Sequence, residues 1–348
     1  MMAATGRSMS NAVDSAAPVL ALDQLVVDIA TPAGAIHAVR GVSLTVAARE
    51  TLALVGESGC GKSITALSAV GLLPPGSQVV AGDIRLQGQR LNDLDRAGWN
   101  QVRGNDIGFV FQNPMSSFNP TMRLGEQIAE RLVVQRGLSR AKALARAVEL
   151  LDRMRIPNAQ RRARQYPFEF SGGMLQRAMI AMAVACEPAL LIADEPTTAL
   201  DVTVQVEVLE LLRDLQRERG MALLLITHDL GVVAQMADRV AVMYAGQIIE
   251  SGPVDAIFHA TGHPYTAGLK LALPDQHRRR DGLMVIKGTP PDLLEPPPGC
   301  GFYPRCPRAL RVCATGAVPE FAVGPDHGSR CWLQHPEVQQ PVEGADER

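Results

Sequence analysis

The stretch Thr51-Leu52-Ala53-Leu54-Val55-Gly56-Glu57-Ser58-Gly59-Cys60-Gly61-Lys62-Ser63 decides how this 348-residue chain is read. Residues 51–55 read as a strand. Gly56 to Ser63 satisfy the phosphate-loop pattern G-x-x-x-x-G-K-[ST] in full, with a helix expected behind it. Glycines let the backbone turn its N–H groups toward phosphate, and the amino end of a helix adds partial positive charge. Lys62 is placed to reach the β- and γ-phosphates of ATP, the Ser63 hydroxyl to ligate Mg²⁺, and the amides through Ile64 to complete the cradle. A glycine-rich turn can match this pattern by chance, but the strand before it and the helix after it argue for the cradle.

About 130 residues downstream, Leu190-Leu191-Ile192-Ala193-Asp194-Glu195 supplies the counterpart. Four apolar residues make a buried strand, and two carboxylates emerge at its carboxyl end, where α/β sheets place ligands. Asp194 is expected to hold the Mg²⁺ shell and Glu195 to orient and polarise the attacking water. Alone, such a run is often a strand meeting a solvated loop. Following a P-loop, and followed by Pro196-Thr197-Thr198-Ala199-Leu200-Asp201, it is far more specific.

Outward from these two strands the chain alternates. Residues 20–55 are strand-rich, 113–185 read mostly as helix, as at 139–155 where Ala, Leu and Val recur three and four apart, and 204–219 read as a helix closed by Gly220. Buried strands are expected at 190–193 and 221–227. Short apolar strands between helices predict a mostly parallel sheet covered on both faces. After Gly262 proline and glycine become dense and periodicity fades, which places a boundary near residue 265. The division expected is a loose tail over 1–18, a main domain over 19–265 and an extension over 266–348.

Composition narrows the function further. Hydrophobic residues make up 47% of the chain, enough for a large core, and a net charge of −2 argues against a nucleic-acid binder that relies on a broad basic field. Nothing approaches the roughly 18–20 apolar residues that cross a bilayer; 178–186 and 221–226 are too short. The first 18 residues lack the apolar centre of a secretory signal, so a cytoplasmic protein is expected.

Phe170-Ser171-Gly172-Gly173-Met174-Leu175-Gln176-Arg177 repeats the physics of the P-loop, with small residues opening a helix. It resembles the signature sequence of the ABC ATPases, and it precedes the acidic strand as in that family. The resemblance implies that Ser171, Gly172, Gly173 and Gln176 grip the γ-phosphate of ATP held by an opposite subunit. Gln112, in F-V-F-Q-N-P, resembles the glutamine that senses Mg²⁺ and γ-phosphate. Asp201 resembles the aspartate that crosses the dimer interface, and His228, 33 positions after Glu195, the switch histidine. The fold implied is a P-loop NTPase of the ABC type: a mostly parallel core sheet, an antiparallel β-subdomain, an inserted helical subdomain at about 113–185, and a small cysteine-containing extension. Ile29 stands where many relatives stack adenine on an aromatic ring, so weaker base stacking is implied.

Besides Gly56-Glu57-Ser58-Gly59, three further stretches resemble the oligopeptide/dipeptide importer ATPases, a branch that includes nickel importers. They are Phe111 to Pro120, Gly262-His263-Pro264-Tyr265-Thr266, and the tail P-P-G-C-G-F-Y-P-R-C-P. That branch implies two membrane-spanning permease subunits, a second and paralogous ATPase, an extracytoplasmic peptide-binding protein, and a place on the cytoplasmic face of the membrane. The function implied is ATP hydrolysis that powers import of di- or oligopeptides. Import of another solute such as nickel, a soluble ABC ATPase without transport, and an exporter ATPase are the alternatives. Cys300, Cys306, Cys313 and Cys331 are spaced C-x₅-C-x₆-C-x₁₇-C. Four thiolates on a loop-rich segment suit a [4Fe–4S] cluster or tetrahedral zinc, and reduced structural cysteines are the third reading. The branch resemblance favours iron. Arg278-Arg279-Arg280 reads as a solvated loop, with too few clustered basic residues for a lipid-binding patch.

Overall fold

Strand formation begins where apolar residues alternate. In the computed structural model, which describes residues 17–198, 200–271 and 286–339, β1 (Leu20–Thr31) and β2 (Gly34–Val46) form an antiparallel pair, and β3 (Thr51–Val55) runs into the helix α1 (Lys62–Ala69). Then follow β4 (Ser77–Leu86), β5 (Gln89–Arg90), α2 (Arg96–Asn105) and β6 (Ile107–Val110). Four helices come next: α3 (Leu124–Arg136), α4 (Arg140–Arg153), α5 (Ala159–Arg162) and α6 (Gly172–Ala183). The chain returns through β7 (Leu190–Asp194), α7 (Val202–Arg219), β8 (Ala222–Thr227), α8 (Leu230–Met236), β9 (Arg239–Tyr244) and β10 (Gln247–Pro253). It closes with α9 (Val254–His259), α10 (Pro264–Leu271), β11 (Phe321–Gly324), β12 (His327–Ser329) and the short α11 (Pro336–Gln339).

Two sheets result. One is antiparallel in the order β2-β1-β4-β5; the other has eight strands in the order β11-β12-β10-β9-β3-β8-β7-β6. In the second, β9, β3, β8, β7 and β6 are mutually parallel. Every residue of β3, β7 and β8 is buried, as expected for strands covered on both faces. The fold class read from the sequence is the one observed.

Register is what positions the site. Val55 lies opposite Thr227, Asp194 opposite Ile226, and Val110 opposite Ala193. The carboxyl ends of β3, β8, β7 and β6 therefore line up side by side. The P-loop, His228, Glu195 and Gln112 all leave the sheet at one edge, where α/β folds bind ligands.

The helices follow their local signals. Ser139 caps α4, and Asp201 caps α7 by accepting the Val204 N–H at 2.9 Å. Gly220 closes α7 in the left-handed region at φ 64°. Helices α3, α4, α6 and α7 share one apolar core with β7 and β8.

Beyond residue 265 the chain stays in contact with the main body. Strand β12 pairs with β10, Glu250 opposite Ser329, so β11 and β12 extend the large sheet. Tyr265 and Phe302 are buried in the same cluster as Tyr244. No helix among the described residues is long and apolar enough to cross a membrane. Residues 1–16 and Arg278-Arg279-Arg280 lie outside the described residues.

Candidate functional site

The P-loop leaves β3 at Gly56 and closes onto α1 at Gly61, and both positions require glycine. A β-carbon on Gly56 would sit 2.2 Å from the Met243 carbonyl oxygen, and one on Gly61 2.4 Å from that of Ala38, where φ is also +106°. Lys62 is 5% exposed, and its ammonium donates to the Gly56 carbonyl at 2.8 Å and the Glu57 carbonyl at 2.9 Å. Cys60 is buried 3.8 Å from that ammonium, and its burial pushes the thiol's pKa up. The Ile64 side chain packs into the core between the sheets. Ile29 lies on β1, opposite Ile36 and Ser77.

Across the loop, Asp194 is 7% exposed. Burial raises its pKa, and the nearby Ser63 hydroxyl lowers it only in part. Its Oδ1 is buried with no hydrogen-bond partner. A buried, unsatisfied carboxylate oxygen beside a serine hydroxyl is costly unless a cation takes it up, so this pair fits a hard divalent ion such as Mg²⁺.

Glu195 adopts φ +47°, in the left-handed region that non-glycine residues seldom enter. Its N–H donates to the Ile226 carbonyl at 2.9 Å, which helps hold the turn. Three groups meet its carboxylate. Oε2 accepts from Thr198 Oγ1 at 2.8 Å and from Gln112 Nε2 at 2.9 Å, and Oε1 lies 3.1 Å from His228 Nδ1. Burial pushes this carboxyl's pKa up, but the hydrogen bonds from Thr198 and His228 outweigh it, and the group sits below the ordinary glutamate range. An ionised carboxylate, already ringed by donors, is suited to orient water.

The structure thus brings together Gly56, Lys62, Ser63, Asp194, Glu195, Gln112 and His228. The signature residues stand apart. Ser171 caps α6 by accepting the Met174 N–H at 3.4 Å, and Ser171, Gly172 and Asp201 are exposed. Among the described residues, no hydrogen bond or ion pair links Ser171 to Gly173 with the P-loop. Gln176 lies further along the same helix. It is 2% exposed on the inward face of α6 with Leu175, Met179 and Ile180, because five residues past Ser171 the helical period has turned it into the core.

The four tail cysteines line one small cavity together with His263 and Trp332, with room for about one water molecule. All four are free thiols, and Cys300 Sγ lies 4.0 Å from His263 Nε2. Burial pushes Cys300 up to about 11 and Cys331 up to about 12. Among the described residues no three His, Cys, Asp or Glu side chains are arranged to hold a metal ion as they stand. The thiols converge, but they do not form a ready ligand set.

Three contacts escaped the sequence reading. Thr198 steadies Glu195, as above. Arg305 and Tyr265, far along the chain, both reach Glu57 of the P-loop.

Comparison with known proteins agrees with this geometry. The ABC transporter family pattern matches residues 39–198, and that of the oligopeptide/dipeptide transporter C-terminal region matches 249–313. A putative peptide import ATP-binding protein of Brucella melitensis is 51% identical over 326 residues, covering 90% of this chain and 96% of that protein. The dipeptide transport ATP-binding protein DppD of Bacillus subtilis is 46% identical, covering 94% of this chain and 98% of the relative. Among solved structures, a dimeric ATP-binding cassette in a post-hydrolysis state bound to ADP and Pi superposes with a TM-score of 0.62 at 28% identity, over 68% of this chain and 98% of that one. The chain is an ATPase that belongs to the ATP-binding subunits of ABC transporters, in the oligopeptide/dipeptide branch.

Proposed function

We propose that this subunit hydrolyses ATP to power the import of di- or oligopeptides. One observation carries the reading: the Asp194–Glu195 turn, Gln112 and His228 stand beside the P-loop in a chain whose peptide-transporter C-terminal region packs behind it. The amides of the loop and of the start of α1 receive the phosphates, and Lys62 leaves the Gly56 and Glu57 carbonyls to meet them. Ser63, Asp194 and Gln112 would hold Mg²⁺, which when bound offsets charge on the phosphate oxygens. Glu195 takes a proton from the attacking water, with His228 and Thr198 fixing its carboxylate.

Gln112 ties chemistry to movement. Its amide bonds Glu195 while its chain leads into the helical layer, so a shift of that layer alters the carboxylate's surroundings. Exposed Met115 and Phe168 both lie within that insertion, which supports it as the seat of a permease contact. The exposed Ser171, Gly172 and Asp201 support a nucleotide sandwiched with a second, paralogous ATPase. Two permeases and an extracytoplasmic peptide-binding protein complete the assembly, with this subunit peripheral on the cytoplasmic face.

The tail cysteines belong to the same reading. Four thiols around one cavity support a metal, and the branch resemblance implies a [4Fe–4S] cluster. Ligation requires the thiols to lose their protons and draw inward. Anaerobically purified protein is expected to be brown, with iron lost in Cys306→Ser. Zinc without iron replaces the cluster with a zinc site, and neither metal leaves reduced structural cysteines.

Transport is tested by affinity capture of the tagged subunit from detergent-solubilised membranes, together with uptake of labelled dipeptide. Two polytopic permeases, a second ATPase and peptide uptake lost in Glu195→Gln are expected. Ribosomal or DNA-repair partners without membrane proteins overturn transport. Nickel uptake lost in place of peptide uptake changes the solute.

A further inference from the structure

Arg305 carries the cysteine-bearing tail to the P-loop. Arg305 sits between Cys300 and Cys306 in sequence, yet its guanidinium forms a two-pronged pair with Glu57, the second residue of the P-loop. Nη1 donates to Oε2 at 2.8 Å and Nη2 to Oε1 at 3.1 Å. The Arg305 side chain is 5% exposed and that of Glu57 26%. The remaining donors are also engaged: Nη1 with Tyr244 Oη at 3.0 Å, Nη2 with the Ile286 carbonyl at 3.3 Å, and Nε with the Lys287 carbonyl at 3.1 Å. A guanidinium has five N–H groups, and here each has a partner. The rings of Tyr244 and Phe302 lie against its carbon, at 5.8 and 5.9 Å. The cation is a fixed anchor.

Glu57 is gripped on every polar group. Its N–H donates to Tyr265 Oη at 2.8 Å, from a tyrosine that is fully buried against Phe302. Its carbonyl accepts from Lys62 at 2.9 Å, and its carboxylate is held by Arg305. We infer that Arg305, with Tyr265 behind it, is a positioning residue for the P-loop and that the extension is thereby a working part of the ATP site. Two effects combine. The fork fixes the geometry of a loop whose amides must point at phosphate, and its charge cancels a carboxylate that would otherwise face an incoming triphosphate at short range.

The inference rests on the P-loop being the seat of ATP, and the experiment separates the two. ATP affinity and steady-state turnover are measured on the full chain with its partner ATPase. The variants are Arg305→Met, Arg305→Lys, Glu57→Gln, the double Glu57→Gln/Arg305→Met, and Lys62→Ala as a control. Arg305→Met is expected to raise the Kd and KM for ATP about tenfold with kcat within about twofold. Arg305→Lys, which keeps the charge and loses the fork, is expected at about threefold. The double variant should recover to about threefold, the loss left by the missing fork, because it removes the unpaired carboxylate. A role confined to holding the tail in place predicts no such recovery.

ATP affinity unchanged within about twofold in Arg305→Met, or a double variant as weak as the single one, overturns the inference. If Arg305→Met does not fold, Arg305→Lys decides: wild-type affinity there also overturns it. Wild-type ATP affinity in Lys62→Ala removes the P-loop reading and the inference with it. Loss in Lys62→Ala beside an unaffected Arg305→Met removes the inference alone.

Discussion

Two helices of this chain open with glycine and small polar residues, and they are prepared differently. Helix α1 starts from Gly61 in the left-handed region with no side-chain cap, beside Lys62 and facing the Asp194–Glu195 turn. Helix α6 starts from Ser171, whose hydroxyl already takes the Met174 N–H, and Arg177 lies back along it toward the Gly173 carbonyl and Glu207. One end is a cradle with the Lys62 ammonium and the Asp194 and Glu195 carboxylates assembled around it. The other offers a capped, exposed turn. The difference teaches that the two helix starts are not equivalent within one chain, which is the division of labour the proposed sandwich between two ATPases needs.

The contrast breaks most sharply at Glu195. Glu195→Gln should leave ATP binding intact and cut turnover by about a hundredfold or more. Undiminished turnover in a single-turnover assay would show that water is activated elsewhere. Next in size are paired glycine substitutions. Gly61→Ala places a β-carbon 2.4 Å from a backbone oxygen at a φ of +106°, so a fall of at least about tenfold in ATP affinity and a lower Tm are expected. Gly172→Ala meets no atom within 4 Å. Its Tm should stay within about 2 °C and its own ATP affinity within about twofold, while under the proposed sandwich turnover falls because the new methyl would crowd a phosphate brought by the partner. Equal thermal losses in both variants would erase the distinction between the two helix ends.

The cradle was legible because its chemistry demands particular residue types at fixed spacing. Lysine and serine must follow the last glycine, and a carboxylate pair must end an apolar strand. Strands β3, β7 and β8 were legible for a related reason: burial on both faces leaves uninterrupted apolar runs. Helix α7 carried its own start and stop in Asp201 and Gly220. The burial of Gln176 was not legible in the motif read as a string, because the helical period of about 3.6 residues turns it inward with Leu175 and Met179. Arg305 and Tyr265 stand in stretches whose resemblance was visible, but their contact with Glu57 had no local signal. Their partner Glu57 lies 248 and 208 positions away, and a contact between distant loops leaves no trace in periodicity or composition. The pairing of β12 with β10 is hidden for the same reason, since a three-residue edge strand is too short to show alternation.

The smallest effect concerns pH and falls on the cradle alone. Burial raises the pKa of Asp194, while hydrogen bonds hold Glu195 below the ordinary range, so two adjacent carboxylates titrate apart. On acidification Asp194 takes up its proton first, and a protonated carboxyl cannot ligate a divalent ion. Mg²⁺ affinity in the presence of ATP should be level above the Asp194 pKa and fall by up to about tenfold per pH unit below it. Because Glu195 stays ionised through that window, saturating Mg²⁺ should restore kcat. Asp194→Asn should give weak Mg²⁺ binding with no such slope. Acid loss that saturating Mg²⁺ cannot rescue would reassign the titration to Glu195 and reverse the order of the two carboxylates. The capped end of α6 has no titrating group of this kind in its turn, so Ser171→Ala should lower turnover without moving the pH profile.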